Sequence, residues 1–412
     1  MTLAEEDTES VDTSPVEAAF LLLMQWLHRQ PEFTPGMLED AEVQQFIRTH
    51  ADLLDKAVDY AIEQRPLDEL SVRRLKESNF VFSGYKTFHE LNEAFPSLLD
   101  ENGNRKPFEQ FLNDVQKVNK SYNRWYLQAE YNFAMASAGM AARWKDFERD
   151  GDDYLLQYRT VGDKRVREAH RLMHGITLPL SSRFWDWYFP PNGWNCRCSV
   201  VQVRKGKYPE SDEREALNLG SQATAGKHQE MMRFNPGKRM ACFPAYNPYT
   251  ISRCQDCEYQ PGKLKLARVP DNELCAACKV IREMVKARES LQEQRKAVRE
   301  WAKENLAGKT VLVQGVPNPV EFTMNGIKET LNQPHKYVRA KNEALRDIVA
   351  LLRSGEHVLE KVDDKGNPMV NKYHYIRIGI AGEPSFAVIR ELMDGKCQFY
   401  SIVEKLKKKG SD

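Results

Sequence analysis

The sequence has no apolar run long enough to cross a bilayer and no excess of charge of either sign. Its 60 lysines and arginines are balanced by 59 aspartates and glutamates, which leaves a formal net charge of +1. The longest apolar stretch, AAFLLLMQWL from Ala18, is about half of the ~20 residues that a spanning helix needs. The acidic start MTLAEEDTES lacks the basic residues of a secretory signal. These absences predict a soluble cytoplasmic protein with no membrane partner, in which any attraction to nucleic acid is local.

Internal repeats are also missing, and 412 residues are too many for one ordinary core. The patterns divide the chain into a disordered acidic tail (1–15), a mainly helical domain (16–240), a cysteine-rich insert (241–280), a charged connecting helix (281–308) and a last domain (309–412). In that last domain helices come first and strands alternate after them, with Gly-Asn and Asp-Gly turns between. The predicted fold class is multidomain α+β, ending in a helix-plus-antiparallel-meander domain.

Three local patterns bear on the site. Apolar residues recur at steps of three and four over residues 108–147, which predicts one long helix. Asp163 is a good N-cap and Gly175 a good C-terminal stop, so a helix is predicted between them. SVVQVRKG, directly after a Pro-Pro-Asn-Gly turn, alternates like a short strand.

Eight cysteines occur, mostly in close pairs, which favours metal ligation over disulfides in a reducing compartment. Two Cys-x-x-Cys pairs, seventeen residues apart, fit a closed four-thiolate zinc knuckle with a structural role. Disulfides and unligated thiols remain alternatives, and redox pairs lack a thioredoxin-like context. The predicted ligands are Cys254, Cys257, Cys275 and Cys278.

A second candidate zinc site involves the Cys-Arg-Cys turn. His170 and His174 are four residues apart, so on a helix they would share one face. With Cys196 and Cys198 they would supply two nitrogens and two sulfurs, a donor set that suits tetrahedral zinc. The alternative is that the histidine binds loop carbonyls and the cysteines are small buried apolar groups.

The segment from YRTVGDKRVREAHRLMHG to WYFPPNGWNCRC resembles the head-morphogenesis family of tailed phages typified by the Mu F protein, and the likeness extends over about residues 60–205. It implies a minor head protein that acts in capsid assembly or DNA packaging beside portal and capsid proteins. Such a protein would be in the host cytoplasm during assembly and then in the virion. The matching motif residues are Arg167, His170, Gly175, Trp185, Pro191, Cys196, Arg197 and Cys198.

Residues 309–405 resemble the barnase–EndoU–colicin-type nuclease-like domains that some phage head proteins carry. The resemblance implies a metal-independent ribonuclease, which needs an acid, a base and cations for the phosphate. The alternative is that these side chains belong to a solvated or half-buried surface. The predicted catalytic residues are His335, His374, Lys341, Arg377 and Ser401.

These features leave three functions open. The first is a virion structural protein with a nuclease-like appendage, with packaged DNA as a further candidate partner. The second is a phage-associated toxin or effector whose last domain cleaves host RNA. The third takes the zinc knuckle as a nucleic-acid-binding module.

Overall fold

The computed structural model describes residues 11–225, 229–250, 271–362, 367 and 369–406, without the side chains of Asp152 and of residues 271–275. The chain divides into two compact units, Met1–Val285 and Lys286–Asp412. No helix within the described ranges is both long enough and apolar enough to cross a membrane.

The first unit is built mainly from helices. They are α1 (Ser14–His28), α2 (Ala41–Gln64), α3 (Glu69–Ala94), α4 (Phe108–Asp114), α5 (Gln116–Lys120), α6 (Leu127–Asp150), α7 (Glu168–Arg171), α8 (Phe184–Tyr188), α9 (Glu213–Ala223), α10 (Pro236–Arg239) and the first part of α11 (Asp271–Asn305). Short 3-10 turns occur at Pro35–Glu39, Phe95–Leu98, Gly151–Asp153 and Glu230–Met232. The mainly helical character predicted for this part of the chain is confirmed.

Helix α3 lies at the centre of this unit, because its residues are buried on every side between Asn79 and Leu91. Asp68 caps its start, since the carboxylate accepts a hydrogen bond from the backbone N–H of Ser71. Gly84 permits a close approach of α11: a Cβ there would lie 3.1 Å from the side chain of Ile281. The helix therefore packs against neighbours all round instead of along one stripe.

The long helix predicted over residues 108–147 is interrupted. Helices α4 and α5 are short, a π-helical segment follows at Ser121–Tyr126, and only then does α6 run for 24 residues. Apolar spacing at three and four does not distinguish these helix types, so the sequence pattern missed the interruption.

A three-stranded antiparallel sheet carries the Cys-Arg-Cys turn. Its order is β2 (Thr177–Pro179), β1 (Tyr154–Arg159), β3 (Ser199–Arg204). The strand predicted from SVVQVRKG is β3. The helix predicted from Asp163 to Gly175 is wrong in length, because only the four residues of α7 are helical. Asp163 faces an arginine across the loop instead of capping a helix.

The second unit is a six-stranded sheet covered by helices. The strand order is β4 (Thr310–Val311), β5 (Val320–Phe322), β9 (Cys397–Val403), β8 (Glu383–Leu392), β7 (Val370–Ile380), β6 (Glu356–Val362). The helices are α12 (Met324–Asn332), α13 (Val338–Glu343) and α14 (Ile348–Ser354), with a 3-10 turn at Ala344–Arg346.

The predicted antiparallel meander is confirmed as β6-β7-β8-β9. The parallel pairing of β5 with β9 was not predicted, because it joins segments about 75 residues apart. Alternate residues of β7, among them Ile376, Ile378 and Ile380, are buried in a core shared with the helices and with the last part of α11. Even-numbered side chains of β7 therefore face the helices, because successive side chains of a strand alternate between its two faces.

Helix α11 begins at Asp271, about ten residues earlier than the predicted connecting helix, so it includes Cys275 and Cys278. Cys278 is half-buried and forms no disulfide with a cysteine of the described residues. The predicted knuckle ligands Cys254 and Cys257 lie outside the described residues, as does the side chain of Cys275. The four-thiolate site and the domain boundaries around it stay predictions.

Candidate functional site

The turn that leads into β3 is held by arginine side chains on one side. Arg167 donates a hydrogen bond to the backbone carbonyl of Trp194 at 2.6 Å. Its guanidinium lies against Gly193, where a Cβ would approach within 3.1 Å, so glycine gives the arginine its room. Asn195 adopts a left-handed φ of 56°, which asparagine tolerates better than most residues.

A second arginine, within the Cys-Arg-Cys sequence, ties the turn to the loop before α7. Arg197 forms a bidentate pair with Asp163, with N···O distances of 2.7 and 2.8 Å. Two parallel charge-assisted bonds fix direction as well as distance. The hydrogen bonds from Arg197 lower the pKa of Asp163 to about 2, so its carboxylate stays ionised at any physiological pH.

His170, Cys196 and Cys198 converge beneath this turn. The Nδ1 atom of His170 lies 3.7 Å from the sulfur of Cys196 and 3.6 Å from that of Cys198. His170 is 2% exposed, Cys196 is buried and Cys198 is half-buried. The three donor atoms lie within 4.8 Å of one another.

These distances fit a zinc ion. With Zn–S bonds of about 2.3 Å and Zn–N bonds of about 2.0–2.1 Å, a tetrahedral ion places nitrogen and sulfur about 3.5 Å apart. The observed separations of 3.6 and 3.7 Å are close to that value. Three protein ligands would leave one coordination position unfilled.

The two thiols also influence each other's protonation. A hydrogen bond from Cys198 lowers the pKa of Cys196, with a further contribution from His170 and against the effect of burial. The pKa of Cys198 is raised, first by its hydrogen bond with Cys196, then by burial and by the charge of Cys196. Cys196 is therefore the thiol of the two that ionises more readily, and thiolate is the form that binds zinc.

His174 does not join this group. It is exposed, and its Nδ1 accepts a hydrogen bond from the backbone N–H of Thr160 at 3.1 Å. The expectation that it shares a helix face with His170 is wrong because α7 ends at Arg171. The remaining motif residues have structural positions: Trp185 is buried and donates to the Pro179 carbonyl, Pro191 follows a cis peptide bond, and Gly175 has a φ of 88°.

In the second unit, two of the predicted catalytic residues, His335 and Lys341, follow α12 in the chain. His335 is half-buried and its Nε2 lies 3.1 Å from the hydroxyl of Ser385. Burial lowers the pKa of His335, which favours the neutral ring. Lys341 is fully buried and donates to the backbone carbonyls of Thr330 and Gln333. Its ammonium therefore caps the end of a helix and is not presented to a phosphate.

The other three predicted catalytic residues lie on the meander. His374 is fully buried on the helix-facing side of β7, whereas Arg377, of opposite parity, is exposed and pairs with Glu356. Ser401 is buried on β9. In the β7–β8 register, His374 opposes Ile389 and Ser385 opposes Ile378, four residues away along the strand. Four residues of strand span about 13 Å, so His335 and His374 belong to separate clusters.

Some partners were missed at the level of sequence. The sequence predicts Asp163 as a helix cap, whereas in the structure it pairs with Arg197. Glu360 and Glu391, which flank His374, were not singled out. Strand alternation alone could have placed a carboxylate near His374, but the pairing register that selects Glu360 depends on a bulge in β6.

Comparison with known families agrees with the motif. Residues 100–201 match the family described as Phage Mu protein F like protein, so this part of the chain is similar to that family. Residues 289–400 match the family described as Large polyvalent protein-associated domain 3.

Curated relatives match over short stretches. Capsid assembly protein F of Escherichia phage Mu is 38% identical over 81 residues, which is 19% of this chain and 18% of that protein. The Mu-like prophage FluMu F protein of Haemophilus influenzae is 34% identical over 80 residues, 18% of this chain and 19% of that protein. A Methanocaldococcus jannaschii protein is 28% identical over 140 residues, 34% of this chain and 21% of its own length. The matches thus span about a fifth of each relative. No solved structure matches significantly.

Proposed function

We propose that the chain is a phage head protein that takes part in capsid assembly beside the portal and capsid proteins of the head. The observation that carries the proposal is the match of residues 100–201 to the Mu F-like family, which includes the whole Arg167, His170 and Cys-Arg-Cys arrangement. A relative that is 38% identical over 81 residues is named a capsid assembly protein. The protein would be made in the host cytoplasm and then retained in the virion.

The turn is suited to docking because its backbone is fixed by side chains from another loop. Arg167 and the Asp163–Arg197 pair hold it at two points. A surface that is rigid before binding loses less conformational entropy when a partner binds. We therefore expect head incorporation to depend on Arg167.

The test is co-expression of the full chain with the other head genes of the phage or prophage that encodes it, followed by purification of heads. Arg167→Ala should reduce the amount of the chain in heads several-fold, because the Trp194 carbonyl loses its donor. Arg165→Ala is the matched control, since the Arg165 side chain is 83% exposed and its nearest contact to Asp163 is a long one of 3.7 Å. Equal incorporation of both variants would contradict the docking role, and absence of the wild-type chain from heads would contradict the assembly role.

We also propose a structural zinc ion on His170, Cys196 and Cys198. The support is the nitrogen–sulfur geometry and the lowered pKa of Cys196 described above. Zinc content of the purified chain should fall by about one ion per chain in Cys196→Ser. A further, separate loss in Cys254→Ser would support the predicted four-thiolate knuckle. If Cys196→Ser retains the zinc of the wild type, the turn is held by hydrogen bonds alone.

A ribonuclease in the second unit is a second candidate function, which includes the toxin or effector alternative. It is favoured by His335, a half-buried imidazole beside the Ser385 hydroxyl, with Lys336 and Tyr337 both paired to Glu383 nearby. Full-length chain should cleave single-stranded RNA in the presence of a chelator, and His335→Ala should abolish the cleavage. Arg377→Ala is the control for the opposite face of the sheet. If the wild-type chain leaves the RNA uncleaved, the ribonuclease proposal is wrong.

A further inference from the structure

A cluster of imidazoles and carboxylates lies on the meander of the second unit, apart from His335. It comprises His357 and Glu360 on β6, His374 and Lys372 on β7, and Glu391 on β8. Glu360 directly opposes His374 in the strand register, and Lys372 opposes Glu391. The cluster is therefore set by strand pairing within one sheet.

Three donor atoms converge in this cluster. The Nε2 of His357 and the Nδ1 of His374 are 3.1 Å apart. The Oε1 of Glu360 lies 3.5 Å from the His374 nitrogen and 3.9 Å from the His357 nitrogen. An ion with bonds of about 2.0–2.1 Å and tetrahedral angles places its ligand atoms about 3.3–3.4 Å apart. The three observed separations bracket that value, so a small shift of Glu360 would complete the site.

The outer contacts leave these atoms available. The Nε2 of His374 donates to Glu391 at 3.0 Å, which fixes the proton on that nitrogen and leaves the Nδ1 lone pair to accept from the Nε2–H of His357. Metal binding would replace that hydrogen bond, with the His357 proton moved to its own Nδ1. Carboxylate–histidine pairs of this kind commonly stand behind metal-ligating imidazoles. Lys372 holds the other oxygen of Glu360 at 2.8 Å, so Oε1 is the oxygen directed at the imidazoles.

Access and charge also suit a cation. His374 is fully buried, but the side chains of His357 and Glu360 are 20% and 44% exposed, which gives a path from solvent. Gly315 packs on His357, since a Cβ at that glycine would lie 2.8 Å from the histidine's Cβ. Within this cluster, the carboxylates of Glu360 and Glu391 and the ammonium of Lys372 sum to one negative charge when both imidazoles are neutral.

We propose that His357, His374 and Glu360 bind a divalent zinc-class metal ion, with Glu391 orienting His374 from behind. Two imidazoles and one carboxylate are a ligand set that zinc accepts, and three protein ligands leave a position for water or an oxygen ligand. This site is separate from the thiolate site under the Cys-Arg-Cys turn and does not depend on a role in capsid assembly.

The experiment uses the full chain, stripped of metal with a chelator and titrated with Co²⁺ under reducing conditions. Cobalt on thiolates gives intense sulfur-to-metal charge-transfer absorption, whereas cobalt on nitrogen and oxygen gives only weak visible bands. The wild type should bind an ion that contributes visible bands but no charge transfer. Glu360→Gln should lower the affinity for that ion by about 10- to 100-fold or more and leave the charge-transfer absorption unchanged.

Three further variants sharpen the result. Glu391→Gln should lower the affinity for that ion by about 10- to 100-fold, as expected for a residue that hydrogen-bonds to a ligand. His335→Ala, in the same unit, should bind cobalt like the wild type. Cys196→Ser should lower only the charge-transfer absorption.

Glu360 is a partly exposed carboxylate, so Glu360→Gln should fold, which its circular dichroism and melting temperature would confirm. If Glu360→Gln and His357→Ala bind cobalt with the stoichiometry and affinity of the wild type, the proposal is wrong, and the histidines form only a hydrogen-bonded pair.

Discussion

Single residues in the first unit carry charge into a helical core. Lys86 is fully buried and donates to Glu130 and, at 2.6 Å, to the carbonyl of Tyr122. Tyr249 donates to the other oxygen of Glu130, and Asn123 donates to Glu90. Buried charges are tolerated when each has partners, and removing one partner is costly. Glu90 is the least satisfied member, because its Oε1 has no hydrogen-bond partner among the described residues.

Burial raises the pKa of Glu90 to about 8. The folded state therefore holds a proton on Glu90 between about pH 4.5 and 8 that the unfolded state releases, so the free energy of unfolding contributed by this group falls as pH rises through that window. Glu90→Gln should remove this fall and stabilise the protein at pH 8 by about 1–3 kcal/mol. Denaturant unfolding of both proteins at several pH values measures the difference.

Glu69→Gln is the control, because Glu69 is exposed in the first turn of the same helix. It should leave the pH dependence nearly as in the wild type. If the free energies of unfolding of Glu90→Gln and of the wild type change with pH in parallel, the pKa of Glu90 is not raised by folding.

Elements in this protein end or distort where side chains from elsewhere bind their backbone. The π-helical segment Ser121–Tyr126 includes Tyr122, whose carbonyl accepts from Lys86 of α3. A partner outside the helix can satisfy a carbonyl that the wider π turn leaves less well bonded. In the second unit, Lys341 plays a comparable part at the end of α12. Neither contact is visible in apolar spacing, which is why the sequence predicted continuous helix in one place and a catalytic lysine in the other.

The end of α12 should depend on Lys341. Burial lowers the pKa of this lysine to about 8, but its amine remains a donor to two carbonyls. Lys341→Met keeps the length and apolar stem and leaves both carbonyls without that donor. We expect a loss of about 1–3 kcal/mol in the free energy of unfolding of the second unit. Urea denaturation followed by circular dichroism measures it.

Lys328→Met on the exposed side of the same helix should change stability by less than about 0.5 kcal/mol. Equal losses in the two variants would mean that Lys341 contributes only its apolar stem.

At the scale of the whole molecule, each unit has a hydrophobic core of its own. One core of the first unit surrounds α3, and another lies beside the three-stranded sheet. The second unit's core is formed by the sheet, its helices and the last part of α11. A part of the chain that has its own core and all the strands of its sheet is expected to fold independently.

Residues 286–412, expressed alone, should therefore unfold in a single cooperative thermal transition, with a heat-capacity change of about 1.7 kcal/mol/K for a chain of this length. Differential scanning calorimetry measures both. A matched fragment that begins at residue 309 lacks Val298, Ala302 and Leu306 of the core and should melt at a lower temperature. A broad, non-cooperative transition in the longer fragment would show that its core needs the rest of the chain.

The sequence by itself determined the elements with strong periodicity and the family motif. The meander and β3 follow from two-residue alternation, and the rare order of Arg167, His170 and the Cys-Arg-Cys turn identified the Mu F-like region. Such features are local, because they depend on spacing along the chain.

Only the tertiary structure decided which polar side chains meet. It joined His170 to the two cysteines without His174, turned Lys341 into a helix cap, and placed His357 and Glu360 beside His374. These outcomes depend on loop lengths, on the register of strands and on a bulge in β6. A shift of one residue in strand pairing moves every side chain to the other face, and no local pattern in this chain fixes that register.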